Sequence, residues 1–281
     1  MKNYLDLLWK VKEYGIEKSD RTGTGTRSLF GEQLKFDLQN GFPLVTTRKM
    51  NFNAIVSELL WFLSGSTDER YLCELTHNTR DNSKSTIWTA NANAEYWKDK
   101  ARFDGDCGRI YSEQWRTWKK PDGSFLDQIT QVIESIKNDP DSRRHIVIAY
   151  NPGEIEEMCL PPCHILFQFY VANEKLSCQF YQRSQDLVLG GPFNYASYAL
   201  LTHMIAQVTN LKVGSLINSI GDVHIYNDHL CGVKEQLSRE PFLLPNIKLN
   251  PDIKDIFSFK KNDIELINYN CHDPIKFKMS V

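Results

Sequence analysis

Leu160-Pro-Pro-Cys-His-Ile165 concentrates the most chemistry in the fewest residues. Two prolines lock the backbone directly before Cys163 and so restrict where its sulfur points. A thiol held this way is either an inert buried hydrophobe or a nucleophile, and the second reading needs a cation near the thiolate. Arg183, at the end of the strand-like run Leu176–Arg183, is the candidate cation. Around and beyond it, Gln182-Arg-Ser-Gln-Asp186 and Leu189-Gly-Gly-Pro-Phe-Asn194 set polar side chains beside a glycine-rich bend that opens a helix. Asn194 reads either as a helix N-cap or as an amide offering one donor and one acceptor to a flat heterocycle. In Gly221-Asp-Val-His-Ile-Tyr226, strand alternation puts His224 and Tyr226 on one face, which suits a sugar hydroxyl. No cysteine or carboxylate completes a ligand spacing with His224 and His229, so no metal site is expected.

Two further segments suit an anion. Asp20-Arg-Thr-Gly-Thr-Gly-Thr26 is small, hydroxylated and glycine-rich, and its backbone N–H groups with Arg21 offer a phosphate cradle. It lacks the Gly-Lys-Ser/Thr ending of a nucleoside triphosphate loop, and an ordinary exposed turn stays open as the alternative. Asn138-Asp-Pro-Asp-Ser-Arg-Arg144 presents two adjacent arginines, either a solvated strand end or a bidentate phosphate clamp.

Helical and extended runs alternate irregularly around these segments. Tyr4, Leu7, Leu8 and Val11 recur at helical spacing, as do Leu126, Ile129, Val132, Ile133 and Ile136. Ile55, Leu59, Leu60 and Phe62 mark a third helix, and Tyr195–Gln207 a fourth, more apolar one. His145–Tyr150 reads as a strand covered on both faces. Leu176, Cys178 and Phe180 alternate with Ser177, Gln179 and Tyr181, predicting a polar face from Gln179 to Arg183 that would floor a site. The mixture predicts an α+β fold, with a single domain over 1–281 because no linker or repeat divides it.

Composition narrows the partners. The chain has 281 residues, a formal charge of −2 and 41% hydrophobic residues, so it can bury a full core and carries no basic excess for a nucleic-acid coat. Seven cysteines include no CxxC pair, which fits free thiols in a reducing compartment better than a disulfide framework. No signal peptide and no membrane-length apolar run is visible, so the expectation is a soluble, cytoplasmic protein.

Taken in order, Asp20–Thr26, Gly41–Arg48, Glu58-Leu-Leu-Trp-Phe62, Asp141-Ser-Arg-Arg144, Pro162-Cys-His164, Gln182-Arg-Ser184, Pro192-Phe-Asn194 and Asp222–Tyr226 resemble the folate-dependent thymidylate synthase family. The likeness runs over the whole chain. It implies a homodimer joined through a sheet face, which methylates deoxyuridine monophosphate (dUMP) with methylenetetrahydrofolate as carbon and hydride donor and no metal. By resemblance, Cys163 adds to C6 of the uracil ring and Glu58 is a water-relayed acid–base group, with Tyr111, Arg183, Asp186 and Asn194 also in the catalytic set. Trp61 and Phe62 beside Glu58 suggest a partly buried carboxyl with a raised pKa. His164 is expected to support packing rather than attack.

The same resemblance puts Arg21, Arg183 and Ser184 of one subunit, with Arg143 and Arg144 of the other, on the phosphate, a cluster expected to lower the Cys163 pKa. Gln182 and Asp186 would also bind the nucleotide, Asn194 falls at the base, where asparagine argues for uracil over cytosine, and His224 and Tyr226 at the deoxyribose. Asp186, Leu189, Gly190, Phe193 and Trp88 would line the pterin cleft. Arg48 and Lys49 would meet the anionic folate tail, and Val281 would close over the complex. Departures from the commoner pattern are Gln185 for a frequent cysteine, Thr89 for an acidic residue, Arg109 for proline and Ser112 for glycine. A dUMP hydroxymethylase, in which water rather than hydride ends the reaction, is the alternative on the same fold.

Overall fold

The computed structural model describes residues 1–20 and 23–279. Among them the helices are α1 (Lys2–Tyr14), α2 (Phe52–Ser64), α3 (Glu69–His77), α4 (Thr89–Ala92), α5 (Glu95–Lys98), α6 (Tyr111–Arg116), α7 (Gln128–Asn138), α8 (Gly190–Val208) and α9 (Leu230–Leu237). One mixed sheet holds β1 (Ile16–Lys18), β2 (Thr26–Asp37), β5 (Ile146–Ile148), β6 (His164–Ala172), β7 (Lys175–Asp186) and β8 (Lys212–Tyr226). Two short ribbons, β3 (Trp118–Lys119) with β4 (Phe125–Leu126) and β9 (Asn246–Leu249) with β10 (Ile264–Ile267), lie outside it.

Capping sets the helix limits. Asn51 accepts from Ala54 N at 3.2 Å to start α2, and Gly65, at φ +76°, ends it in the left-handed conformation. Asp127 caps α7 through Thr130 N, which leaves Leu126 in the ribbon rather than in the helix that its spacing predicts. The long α8 is apolar on nearly every side, and that is why it runs through the interior against β7 and β8.

Sheet order is β1-β2-β8-β7-β6-β5, with β7 and β8 parallel and the other neighbours antiparallel. The connection between β7 and β8 is α8, as a parallel pair requires. Leu176, Cys178 and Phe180 of β7 face the core as predicted. The result is α+β, in agreement with the sequence reading.

Two expectations need correction. The His145–Tyr150 run forms an edge strand with one open face, not a doubly covered one: Val147 is buried, while Ile146 and Ile148 are 40% and 38% exposed. Register puts these two on the same outer sheet face as Tyr170 and Gln179. The polar face of β7 is divided as well. Gln179 is bound to Ser219 on that open face, and only the Arg183 end reaches the cleft described next.

Candidate active site

The Cys163 thiol stands where the loop ahead of β6 meets the end of β7. Arg183 fastens the two together, its Nε donating to Pro162 O and its Nη2 to Pro161 O, both at 2.9 Å. Its backbone N–H donates to Cys163 O at 2.9 Å. One guanidinium therefore reads both proline carbonyls, and its Nη2 stands 3.9 Å from Cys163 Sγ. From the helix side, Tyr111 Oη accepts from Cys163 N at 2.7 Å. The cation that a nucleophilic reading needs is thus in place.

Among the described residues of one chain, Arg183 is the only arginine of the expected cluster that acts on the thiol. Burial pushes the Cys163 thiol up and Arg183 only partly opposes it, so the thiol sits above its ordinary value instead of below. His164, next in the chain, is buried. Its ring stacks on Tyr111 at 3.9 Å and its Nδ1 meets Tyr198 Oη at 2.7 Å. Burial lowers its pKa to about 3, so it is a neutral packing partner near pH 7.

Glu58 projects from α2, where it accepts from Trp88 Nε1 at 2.8 Å. Burial raises its pKa to about 7, against a weaker downward pull from the Trp88 hydrogen bond. The raised carboxyl expected from Trp61 and Phe62 is what the site contains. Trp88 itself is only 5% exposed, edge-on to Trp61, Phe62 and Tyr111. Its clearest task in this structure is to hold Glu58.

Asn194, on the first turn of α8, accepts through Oδ1 from Gln182 Nε2 at 3.0 Å. Asp186 Oδ1 accepts from Val188 N and Leu189 N, at 2.8 and 3.1 Å, and so shapes the turn carrying half-buried Leu189, Gly190 and Phe193. Nearby, a cavity of about 230 Å³ is lined by Lys18, Asp20, Ser184, Asp222, His224 and Tyr226, among others. Asp222 joins Lys18 Nζ at 2.7 Å and His224 Nδ1 at 3.2 Å. The His224 hydrogen bond first, then that of Lys18, holds the Asp222 carboxyl down at about 2. Sequence reading singled out His224 and Tyr226 but not the Asp222 that orients the imidazole.

A larger cavity of about 650 Å³ lies beyond α2, among Leu60, Leu63, Tyr71, Arg116 and Phe257. It contains none of the expected site residues, whereas the smaller one is lined by Ser184, His224 and Tyr226.

Other expected site residues are distributed unevenly. Arg143 and Arg144 are exposed, and neither guanidinium bonds any described residue. Arg21 and Val281 lie outside the described residues. Arg48, expected at the folate tail, lies inside the fold. The buried run 41–48 carries it inward, where it is 5% exposed, donates to Val188 O at 2.5 Å and sits 5.3 Å over the Phe277 ring. Lys49 is the exposed member of that pair.

Two of the departures from the commoner pattern join networks that contain charged groups. Thr89 donates to Glu69 Oε1 at 2.6 Å, so a carboxylate from α3 reaches the place where an acidic side chain is usual. Arg109 binds Glu154 at 2.7 Å and Glu113 at 2.6 Å behind α6. Burial pushes the Glu154 carboxyl up, but hydrogen bonds from Arg109 and Gln114 outweigh it and hold it below its ordinary value. Ser112 is buried with its hydroxyl unpartnered among the described residues.

The described residues contain no cluster of side chains able to hold a metal ion, and no helix long and apolar enough to cross a membrane. Compared with known proteins, the chain matches the family model described as thymidylate synthase over residues 2–281.

Proposed function

The chain belongs to the thymidylate synthase family, and on that premise we propose that it methylates dUMP to dTMP, with Cys163 as nucleophile. The observation carrying this reading is a thiol beside a guanidinium, linked through Tyr111, which accepts from Cys163 N and lies edge-on to Trp88, to the Trp88-bound Glu58 carboxyl, whose pKa burial raises to about 7. C5 of uracil is a poor nucleophile. Addition of the Cys163 thiolate to C6 makes C5 an enolate carbon, dividing one hard step into easier ones.

Arg183 and Ser184 bind the phosphate, with Arg21 and with Arg143 and Arg144 donated by a second copy. The open sheet face bearing Ile146, Ile148 and Tyr170 is suited to cover that second copy. Because the free thiol is held protonated, attack requires proton loss, and Arg183 stabilises the thiolate that results. Asn194 reads the uracil edge, while His224, oriented by Asp222, and Tyr226 take the deoxyribose hydroxyl. Ionised Glu58 accepts the C5 proton through water.

Methylenetetrahydrofolate, when bound, supplies the one-carbon unit and the hydride. The residues present fit it: Leu189, Gly190 and Phe193 are half-buried, and Asp186 Oδ2 is bonded by no described residue. Lys49 provides the exposed cation for an anionic tail, and Val281 closes the site against water.

Trapping tests the nucleophile directly. Acid-quenched enzyme with dUMP and the folate should carry the nucleotide's mass on the peptide containing Cys163. An adduct on another residue, or none while turnover proceeds, would overturn the assignment.

A further inference from the structure

The Asn194 amide is the last member of a buried relay that starts at Tyr195. Tyr195 Oη donates to Gln185 Oε1 at 2.5 Å. Gln185 Nε2 then donates to Asn218 Oδ1 at 2.8 Å and also to Gln182 Oε1. Gln182 Nε2 donates in turn to Asn194 Oδ1 at 3.0 Å. Gln182, Gln185 and Asn218 are 1%, 2% and 0% exposed, so bulk water does not compete for their hydrogen bonds.

A primary amide has a donor end and an acceptor end, so each member of such a chain dictates the orientation of the next. With both N–H groups of Gln185 engaged, Gln182 must present its oxygen to Gln185 and its nitrogen to Asn194. Asn194 must then turn Oδ1 toward Gln182. In that orientation Nδ2 donates to the O4 of uracil, and the second lone pair of Oδ1 accepts from N3–H. Cytosine presents an amino group and an unprotonated N3, and would need the Asn194 amide turned over. That turn sets donor against donor at Gln182, inside a buried site where an unmet donor costs about tenfold or more in binding.

We propose that Gln185 is a positioning residue for base selection, holding Asn194 through Gln182 in the orientation that pairs with uracil rather than cytosine. The inference rests on the pyrimidine-reading role proposed for Asn194. Gln185 stands where a cysteine is the commoner residue, and the surroundings accommodate its extra length. A Cβ at Gly191 would lie 2.8 Å from Tyr195 Oη and 3.1 Å from Gln185 Oε1, so glycine keeps the relay's path open. Asn218 Nδ2 is buried without a partner among the described residues, a spare donor beside the relay.

That spare donor suggests the decisive variant. In Gln185→Glu the carboxylate, once titrated to its ionised form at alkaline pH, only accepts, from Tyr195, from Asn218 Nδ2 and from Gln182 Nε2. Gln182 must then turn over, and Asn194 after it, into the orientation for cytosine. Calorimetric titration of the whole protein at that pH with dUMP and with dCMP reads the outcome. Wild type should favour dUMP. Gln185→Glu should lower the dUMP-to-dCMP affinity ratio by about tenfold or more, with dCMP binding strengthened in absolute terms. Gln185→Met, which fills similar space without polarity, should lower the ratio severalfold through weaker dUMP binding.

A structural role alone would weaken both nucleotides equally. Variants that melt as wild type does and keep its ratio would therefore overturn the relay. Wild type binding dUMP and dCMP equally would instead remove the base-reading role on which the relay depends.

Discussion

On the wall made by the strand ends and the start of α8, here the strand wall, Cys163, Arg183 and Asn194 are each held by directed hydrogen bonds. On the helix wall, Glu58 has one hydrogen bond, from Trp88, whose own ring is wedged edge-on among three aromatics. The first wall controls where groups point. The second controls how tightly a proton is held, by keeping water away. Behind the helix wall the Arg109–Glu154–Glu113 network supplies rigidity through charge. Directed neutral amides can choose between two bases, whereas an ionic network can only hold a wall in place.

Damage to each wall should therefore look different. Cys163→Ser, on the strand wall, should lower turnover by about a thousandfold or more while leaving the melting temperature unchanged. Substantial residual activity would show that direction on that wall serves something other than attack. Arg109→Ala, behind the helix wall, should act on stability, because it leaves Glu154 with only the neutral Gln114 amide and Glu113 with only the half-exposed Arg102. The expected cost is about 3–5 kcal/mol, or a melting point lower by roughly 10 °C. An unchanged melting point would demote that network to a surface feature.

Glu58→Gln should reduce kcat about a hundredfold, the usual scale of a lost acid–base group. In wild type, kcat should rise as pH passes through about 7, where Glu58 ionises. Stability runs the opposite way. The folded pKa lies above the ordinary 4.5, so the protonated folded state is favoured at low pH, and that advantage fades as pH rises from 4.5 through about 7. Above pH 7 the Glu58→Gln variant should consequently be the more stable protein, by about 3 kcal/mol at most. The gap should close below pH 4.5. Thermal melts across that range check the sign. Trp88→Phe, the mildest change, removes the one hydrogen bond that pulls the Glu58 pKa down. Its rising limb should move to higher pH, lowering kcat at pH 7 by roughly threefold.

Local chemistry was legible in the sequence wherever it was governed by near neighbours. Trp61 and Phe62 lie one helical turn from Glu58 and announced its raised pKa. The Pro-Pro-Cys segment announced a fixed thiol, and alternation in β7 announced its buried face. Features that depend on distant pairing were hidden. The sign of the Cys163 shift is a contest between burial and one guanidinium, and spacing does not weigh the two. The relay below Asn194 joins β7, β8 and α8, so it exists only once a parallel strand pair has formed. A glutamine at an inward strand position was the available clue, since a buried amide must find partners. The burial of Arg48 was hidden in the same way, because its partners Val188 and Phe277 are far off in the chain.

The identity of the product decides whether the two walls cooperate in methylation. Purified protein is incubated with dUMP and methylenetetrahydrofolate, dihydrofolate is followed by absorbance, and the nucleotide is identified by mass. Formation of dTMP with one equivalent of dihydrofolate is the predicted result. Hydroxymethyl-dUMP formed without dihydrofolate would contradict it.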